Sequence, residues 1–322
     1  MKKRRLILLV WVFITGLLLA MTTYAWFTTN RIFEIESFDI QIATKGGLQI
    51  STDAIDWKGV VGMADFMAAV NTYPANKNQI PNMVLPVSTA GEVENGLLKM
   101  FYGTVNVRKH FYLTTFRETE KAALMNDSDG KYVSFDIFVK STSPKKLQIV
   151  PDSGVSYKTD VSQPTGIENA FRIGFINKGN LSSSSNINLI QNLNNGNESI
   201  VWEPNYDTHT LAAIDHAKTI YNIITTENNA NIIPYYGVAN EIPAELELNV
   251  SKANSADYPQ YFKLVKPNIT TIKNDENYHY FTDIAPGITK LRVYIWVEGQ
   301  DIDCENSASQ GSLIINLQFV AQ

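Results

Sequence analysis

The sequence holds a single cysteine, Cys304, among its 322 residues. That excludes an intramolecular disulfide and any cysteine-based metal cluster. A domain of this make-up must be held by its core alone, and if exported it suits a bacterial surface better than a eukaryotic secretory route. Cys304 does not follow an apolar run, so it is no lipoprotein anchor. Positive charge is also scarce. After Lys2-Lys3-Arg4-Arg5 there is no basic stretch, Lys145-Lys146 being only a pair, and the net charge is -5. A nucleic-acid partner needs a basic stripe, so none is expected. Histidine is limited to His110, His209, His216 and His279, with no His-Glu-x-x-His helix of the metalloprotease kind. His209 and His216 are spaced to reach one side of a helix, but a pair is not a site, and surface positions are expected for both.

Long apolar runs are equally rare; one stands out, Leu6 to Phe27. The basic patch before it orients the segment with its N-terminus in the cytoplasm, so everything after Phe27 is expected outside. Thr23-Tyr24-Ala25 supplies the small residues of a signal-peptide cut between Ala25 and Trp26. The alternative is a retained membrane helix over residues 6–27, with Trp26 and Phe27 as interfacial anchors. Cleavage by a signal peptidase is the preferred reading. A type IV pilin is excluded, because the basic residues run straight into Leu6 with no cut site ahead of the helix. At the other end no hydrophobic anchor is expected, and Leu85-Pro86-Val87-Ser88-Thr89 lacks the glycine of a sortase signal.

The rest reads as strands. Phe33 and Ile35 alternate on one count, and Phe38, Ile40 and Ile42 on the other, so the phase slips near Ser37. Lys45-Gly46-Gly47 reads as a turn. Residues 60–70 suit a short helix or a buried loop, and Pro74, Pro81 and Pro86 forbid a long element after it. Val133, Phe135, Ile137 and Val139 share one strand face; Leu291, Val293, Ile295 and Val297 share another. Residues 171–176 and 313–319 read as further strands. Residues 178–199, rich in Asn and Ser, are expected to form a mobile surface loop. Residues 210–221 suit a short helix, and Leu246-Glu247-Leu248 an edge strand within an insertion. The expected fold is all-β, an antiparallel jelly-roll-like β-sandwich behind one N-terminal hydrophobic helix. The division is residues 1–30 as signal peptide or anchor and 31–322 as one extracellular domain, with insertions near 178–200 and 222–260.

Candidate chemistry is sparse. Asp127 and Asp129 resemble only the start of a calcium loop, and Asp301 and Asp303, with Glu298 and Glu305, form a second acidic group. Calcium there is the sharp reading; ordinary solvated turns are the bland one. Trp202, Glu203 and Asn205 offer a sugar platform, an aromatic face with polar neighbours, against the plainer reading that Trp202 packs in the core. No carboxylate pair is singled out for hydrolysis, so an enzyme and a bound cofactor are not expected.

Thr23-Tyr24-Ala25-Trp26-Phe27-Thr28, ahead of the strand 35–42, resembles the N-terminus of the TasA/camelysin group of Gram-positive surface proteins. The strands 291–297 and 313–319 are similar to the pair closing that group's jelly roll. The resemblance implies a non-enzymatic subunit of a surface layer, extracellular matrix or biofilm fibre, cut by a dedicated signal peptidase. It also implies assembly with copies of itself or other surface proteins by donating the strand that carries Phe33, Ile35, Phe38, Ile40 and Ile42. A membrane-tethered glycan- or partner-binding module is the alternative.

Overall fold

The computed structural model describes residues 33–34, 41–45, 47–81, 83–106, 108–109, 111–120, 124–125, 130–157, 166–220, 233–254, 256–270, 276–304 and 313–322. The expectations for residues 6–27, for Ala25 and Trp26, for Ile35, Phe38 and Ile40, and for Asp127 and Asp129 lie outside these residues. Among the described residues no helix is long and apolar enough to cross a membrane.

The fold is all-β, with two large sheets of eight and six strands. Three long strands make the centre of the first sheet: Val133–Ser141, Gly287–Val297 and Phe171–Leu181. They lie side by side and antiparallel, with Phe135 opposite Val293 and Ile173 opposite Ile295. Period-two alternation therefore puts Val133, Phe135, Ile137, Leu291, Val293, Ile295, Phe171 and Ile173 on one face, all in the main core. The second sheet supplies Leu147, Ile149, Ile315, Leu317 and Phe319 to the same core. Phe281 bridges the sheets, with ring centroids 4.6 Å from Phe175 and 5.3 Å from Phe319. Each such buried side chain stabilises by about 1.5–3 kcal/mol relative to exposure.

The closing strand Leu313–Ala321 is central in the second sheet. Along one edge it pairs with Lys145–Ile149 and then Gly154–Tyr157, both antiparallel. Along the other it pairs with the strand Gln41–Lys45, in parallel, from Gln41 opposite Asn316 to Lys45 opposite Val320. The expected slip near Ser37 lies outside the described residues. Phe33–Glu34 pairs with Met83–Val84, whereas Ile42 belongs to the strand beside the chain's last one.

The short helix falls at Met63–Thr72. Asp65 accepts from the Gly62 N–H at its start, and Tyr73 and Pro74 end it. Two sequence expectations are corrected. Residues 178–199 are not a plain surface loop: the strand runs on to Leu181, and a helical turn, Ile187–Gln191, follows. Ile190, Gln191 and Leu193 are buried while Ser182 to Ser184 are exposed. Three apolar or amide side chains in a polar segment suffice to pin it down. Leu246-Glu247-Leu248 is not an edge strand. Ala244–Leu246 is a turn of 3-10 helix, ended by Glu247 in the left-handed region, and it is Tyr235–Val238 that pairs with Phe262–Val265.

Candidate functional site

Alternation also dictates what the second face of the central strands carries. Between the core residues stand Asp136, Lys290, Arg292, Tyr294 and Trp296, with Arg172 on the neighbouring strand. A half-buried strand would turn these to water. Here Tyr73, Lys77, Val87, Leu98, Met100 and Gln191 lie over the first five, while Glu203, Tyr235 and Asp301 meet Arg172, and Arg172, Arg292, Tyr294 and Trp296 are at most 1% exposed. Buried charge is tolerable only when paired, and two separate ionic clusters result.

The first centres on Asp136. Its Oδ2 accepts from the Tyr73 hydroxyl at 2.9 Å and faces Lys290 Nζ at 3.3 Å; its Oδ1 faces Arg292 Nη1 at 3.1 Å. Arg292 Nη2 reaches Glu120 at 2.9 Å and donates to the Lys77 carbonyl and the Ser134 hydroxyl. Tyr294 donates to Glu120 at 2.6 Å. Lys290 donates to the Gln191 carbonyl at 2.7 Å, which ties the helical turn to the sheet. Burial alone would raise the Asp136 carboxyl, but Arg292, Lys290 and the Tyr73 bond outweigh it and hold it below the usual range. Burial lowers the Lys290 ammonium despite Asp136.

Beside this cluster the strand Phe171–Leu181 has a bulge. Asn177 is opposite Leu291 and Gly179 opposite Lys290, so Lys178 is the extra residue. Bulges re-aim side chains, and here the backbone follows with Gly179 at φ 110°, a conformation that favours glycine. Lys178 thereby lines a cavity of about 230 Å³ together with Tyr73, Asp136, Lys290, Arg292 and Asn194. Its side chain is buried, and it donates to the Gly96 carbonyl and, at 2.5 Å, to Asn194 Oδ1. Burial pushes the Lys178 ammonium down to about 8, helped by Arg292 and Lys290 and opposed by Asp136.

The second cluster lies at the far end of the same strands. Arg172 pairs with Asp301 and stands 2.9 Å from Glu203 Oε1. His209 faces Asp303 at 2.5 Å through Nδ1 and Glu203 at 3.3 Å through Nε2. The Thr210 N–H and hydroxyl cap the other Asp303 oxygen. Burial works against a charged imidazole, but Asp303 and Glu203 prevail and raise His209 to about 10. Glu298, fully buried, accepts from the Trp296 indole at 3.0 Å and is pushed up to about 7 by burial.

Several sequence expectations end in this cluster. Asp301 and Asp303 are neither a calcium loop nor solvated turns: they are buried counter-ions of Arg172 and His209. Glu203, His209 and Asp301 bring ligand atoms within 4.8 Å of one another. The Arg172 guanidinium already sits between the two carboxylates, however, and calcium takes six to eight oxygens. The donor set does not fit a calcium ion. His209 is not a surface residue paired with His216; it precedes the helix Leu211–Ile220 and is turned inward. Trp202, Glu203 and Asn205 present no sugar platform. Trp202 is fully buried in the main core, Glu203 is fully buried beside Arg172, and Asn205 donates to the Val155 and Glu168 carbonyls.

Sequence reasoning missed Lys178, Lys290, Arg292, Asp136 and Arg172. A trace of them was visible as ionisable residues alternating with apolar ones in two strong strands. What covers that alternation is set by segments far away in the chain. No family model, curated protein or solved structure matches this chain.

Proposed function

We propose that this chain is an exported, non-enzymatic jelly-roll subunit of a cell surface or extracellular matrix. It joins copies of itself, or other surface proteins, by lending its N-terminal strand. The observation that carries this reading is the parallel pairing of Gln41–Lys45 with the closing strand. The strand Gln41–Lys45 is tied to its own domain by backbone ladders with the closing strand and with Val60–Val61. Gly47 has φ 79° and open space around its Cα, which suits a hinge. A strand withdrawn through that hinge leaves a row of unpaired groups on the closing strand. A neighbour's copy restores the same bonds, so exchange costs little and concentration decides the state.

The basic patch and apolar run ahead of this strand support export. If the bond after Ala25 is cut, the strand lies close to the new N-terminus, where it is easiest to lend. The alternative of a membrane-tethered glycan-binding module loses its platform with Trp202 buried.

The test is strand complementation. Protein lacking residues 26–45 should stay monomeric, and a synthetic peptide of residues 31–45 should bind it in a 1:1 ratio. The mature chain should form oligomers that the same peptide suppresses. Oligomers of unchanged size from the deleted chain would rule the reading out.

A further inference from the structure

The cavity beside the Asp136 cluster carries unbalanced charge. Lys178, Lys290 and Arg292 line it, with Lys77 exposed at its mouth, against one carboxylate, Asp136. That carboxylate is committed to Lys290 and Arg292, and Glu120 answers Arg292 from the other side. Among the described residues no carboxylate comes within ion-pair distance of Lys178; its partners are the neutral oxygens of Gly96 and Asn194. A buried cation without a counter-ion is costly, and a one-residue bulge aims Lys178 into this cavity. A water claims about 30 Å³, so a cavity of about 230 Å³ has room for several heavy atoms.

We infer that this cavity binds a small oxyanion, a phosphate or carboxylate group, with Lys178 as its buried counter-ion and Lys77 at the entrance. The anion supplies the charge that the protein itself withholds. The bond is charge-assisted, and it replaces no existing pair.

The groups facing Lys178 set the pH response. Asp136 stays ionised and Arg292 stays charged, while burial lowers Lys290 as well as Lys178. An anion stabilises the ammonium form, so binding weakens as pH rises past about 8.

The experiment is titration calorimetry on the full-length chain in mild detergent, with sulfate as a tetrahedral probe and acetate as a carboxylate probe. Neither probe changes charge between pH 7 and 9.5. Saturable 1:1 binding is expected at pH 7, about thirtyfold weaker at pH 9.5 and absent in Lys178→Met. Lys178→Arg should retain binding and lose less affinity at pH 9.5 than the parent, since a guanidinium does not titrate there and only Lys290 is left to do so. Binding of sulfate alone assigns a phosphate-type ligand, and binding of acetate alone a carboxylate; either supports the site. No saturable heat with either probe would overturn it. So would affinity in Lys178→Met within about twofold of the parent, or an unchanged affinity at pH 9.5 in the parent.

Discussion

Leu291 and Arg292 are neighbours in sequence and opposites in environment. Leu291 enters a core of aliphatic and aromatic side chains shared by two sheets; Arg292 enters a network with Asp136, Glu120, Asn78 and Ser134. Both are at most 1% exposed. The two faces of the central sheet are thus equally dry and chemically unlike. Burial on the first face is the driving force of folding. On the second it is a liability that geometry must offset, because pairing in a dry interior roughly cancels the cost of leaving water. What the second face adds is specificity. Tyr73, Gln191 and Glu120 come from separate segments, and each must arrive for the charges to be met.

Breaking the ionic face should have the largest effect. Arg292→Met leaves Glu120 without its cation and Asp136 with Lys290 alone, and should cost about 3–5 kcal/mol at neutral pH. Denaturant unfolding would show it. The loss should shrink in acid, where the stranded carboxylates take up protons. Leu291→Ala tests the apolar face. It should cost about 2–5 kcal/mol through lost transfer energy and a cavity, with no dependence on pH. Equal pH dependence in the two variants would erase the distinction drawn here.

The smallest effect is a slope. Glu298 titrates near 7 in the folded protein against an ordinary 4.5, because burial favours its neutral form. A raised carboxyl lends stability that is full below about 4.5 and lost as pH rises through about 7. Glu298→Gln keeps a hydrogen-bonding side chain and should flatten that part of a melting-temperature profile. Asp303, raised in the same direction, leaves some slope behind. His209 acts at the alkaline end, where stability from its pairing with Asp303 and Glu203 is lost as pH rises through about 10.

Much of the strand framework was legible. The apolar alternation of residues 133–139 and 291–297 marked the core face correctly, because period two is a local property of an extended backbone. The helix at Met63–Thr72 and the helix at Leu211–Ile220 were also within reach of local composition. The sites were not. Asp301, Asp303 and Glu203 look like loop or rim acids in sequence, since nothing nearby reveals that Arg172 lies across from them. Lys178 lies in a stretch whose Asn and Ser content suggests a loop, and its aim depends on a one-residue bulge.

The sequence by itself determined the β class, the apolar face of the central strands and the single hydrophobic run at the start, because each rests on spacing along the chain. Only the tertiary structure decided that the opposite face is also buried, that its charges fall into two clusters, and that Gln41–Lys45 lies beside the closing strand. Those outcomes depend on contacts between residues 100 or more positions apart, such as Tyr73 with Lys290 and Arg172 with Asp301. A local pattern says which side of a strand is polar. It does not say whether water or another part of the chain will meet it.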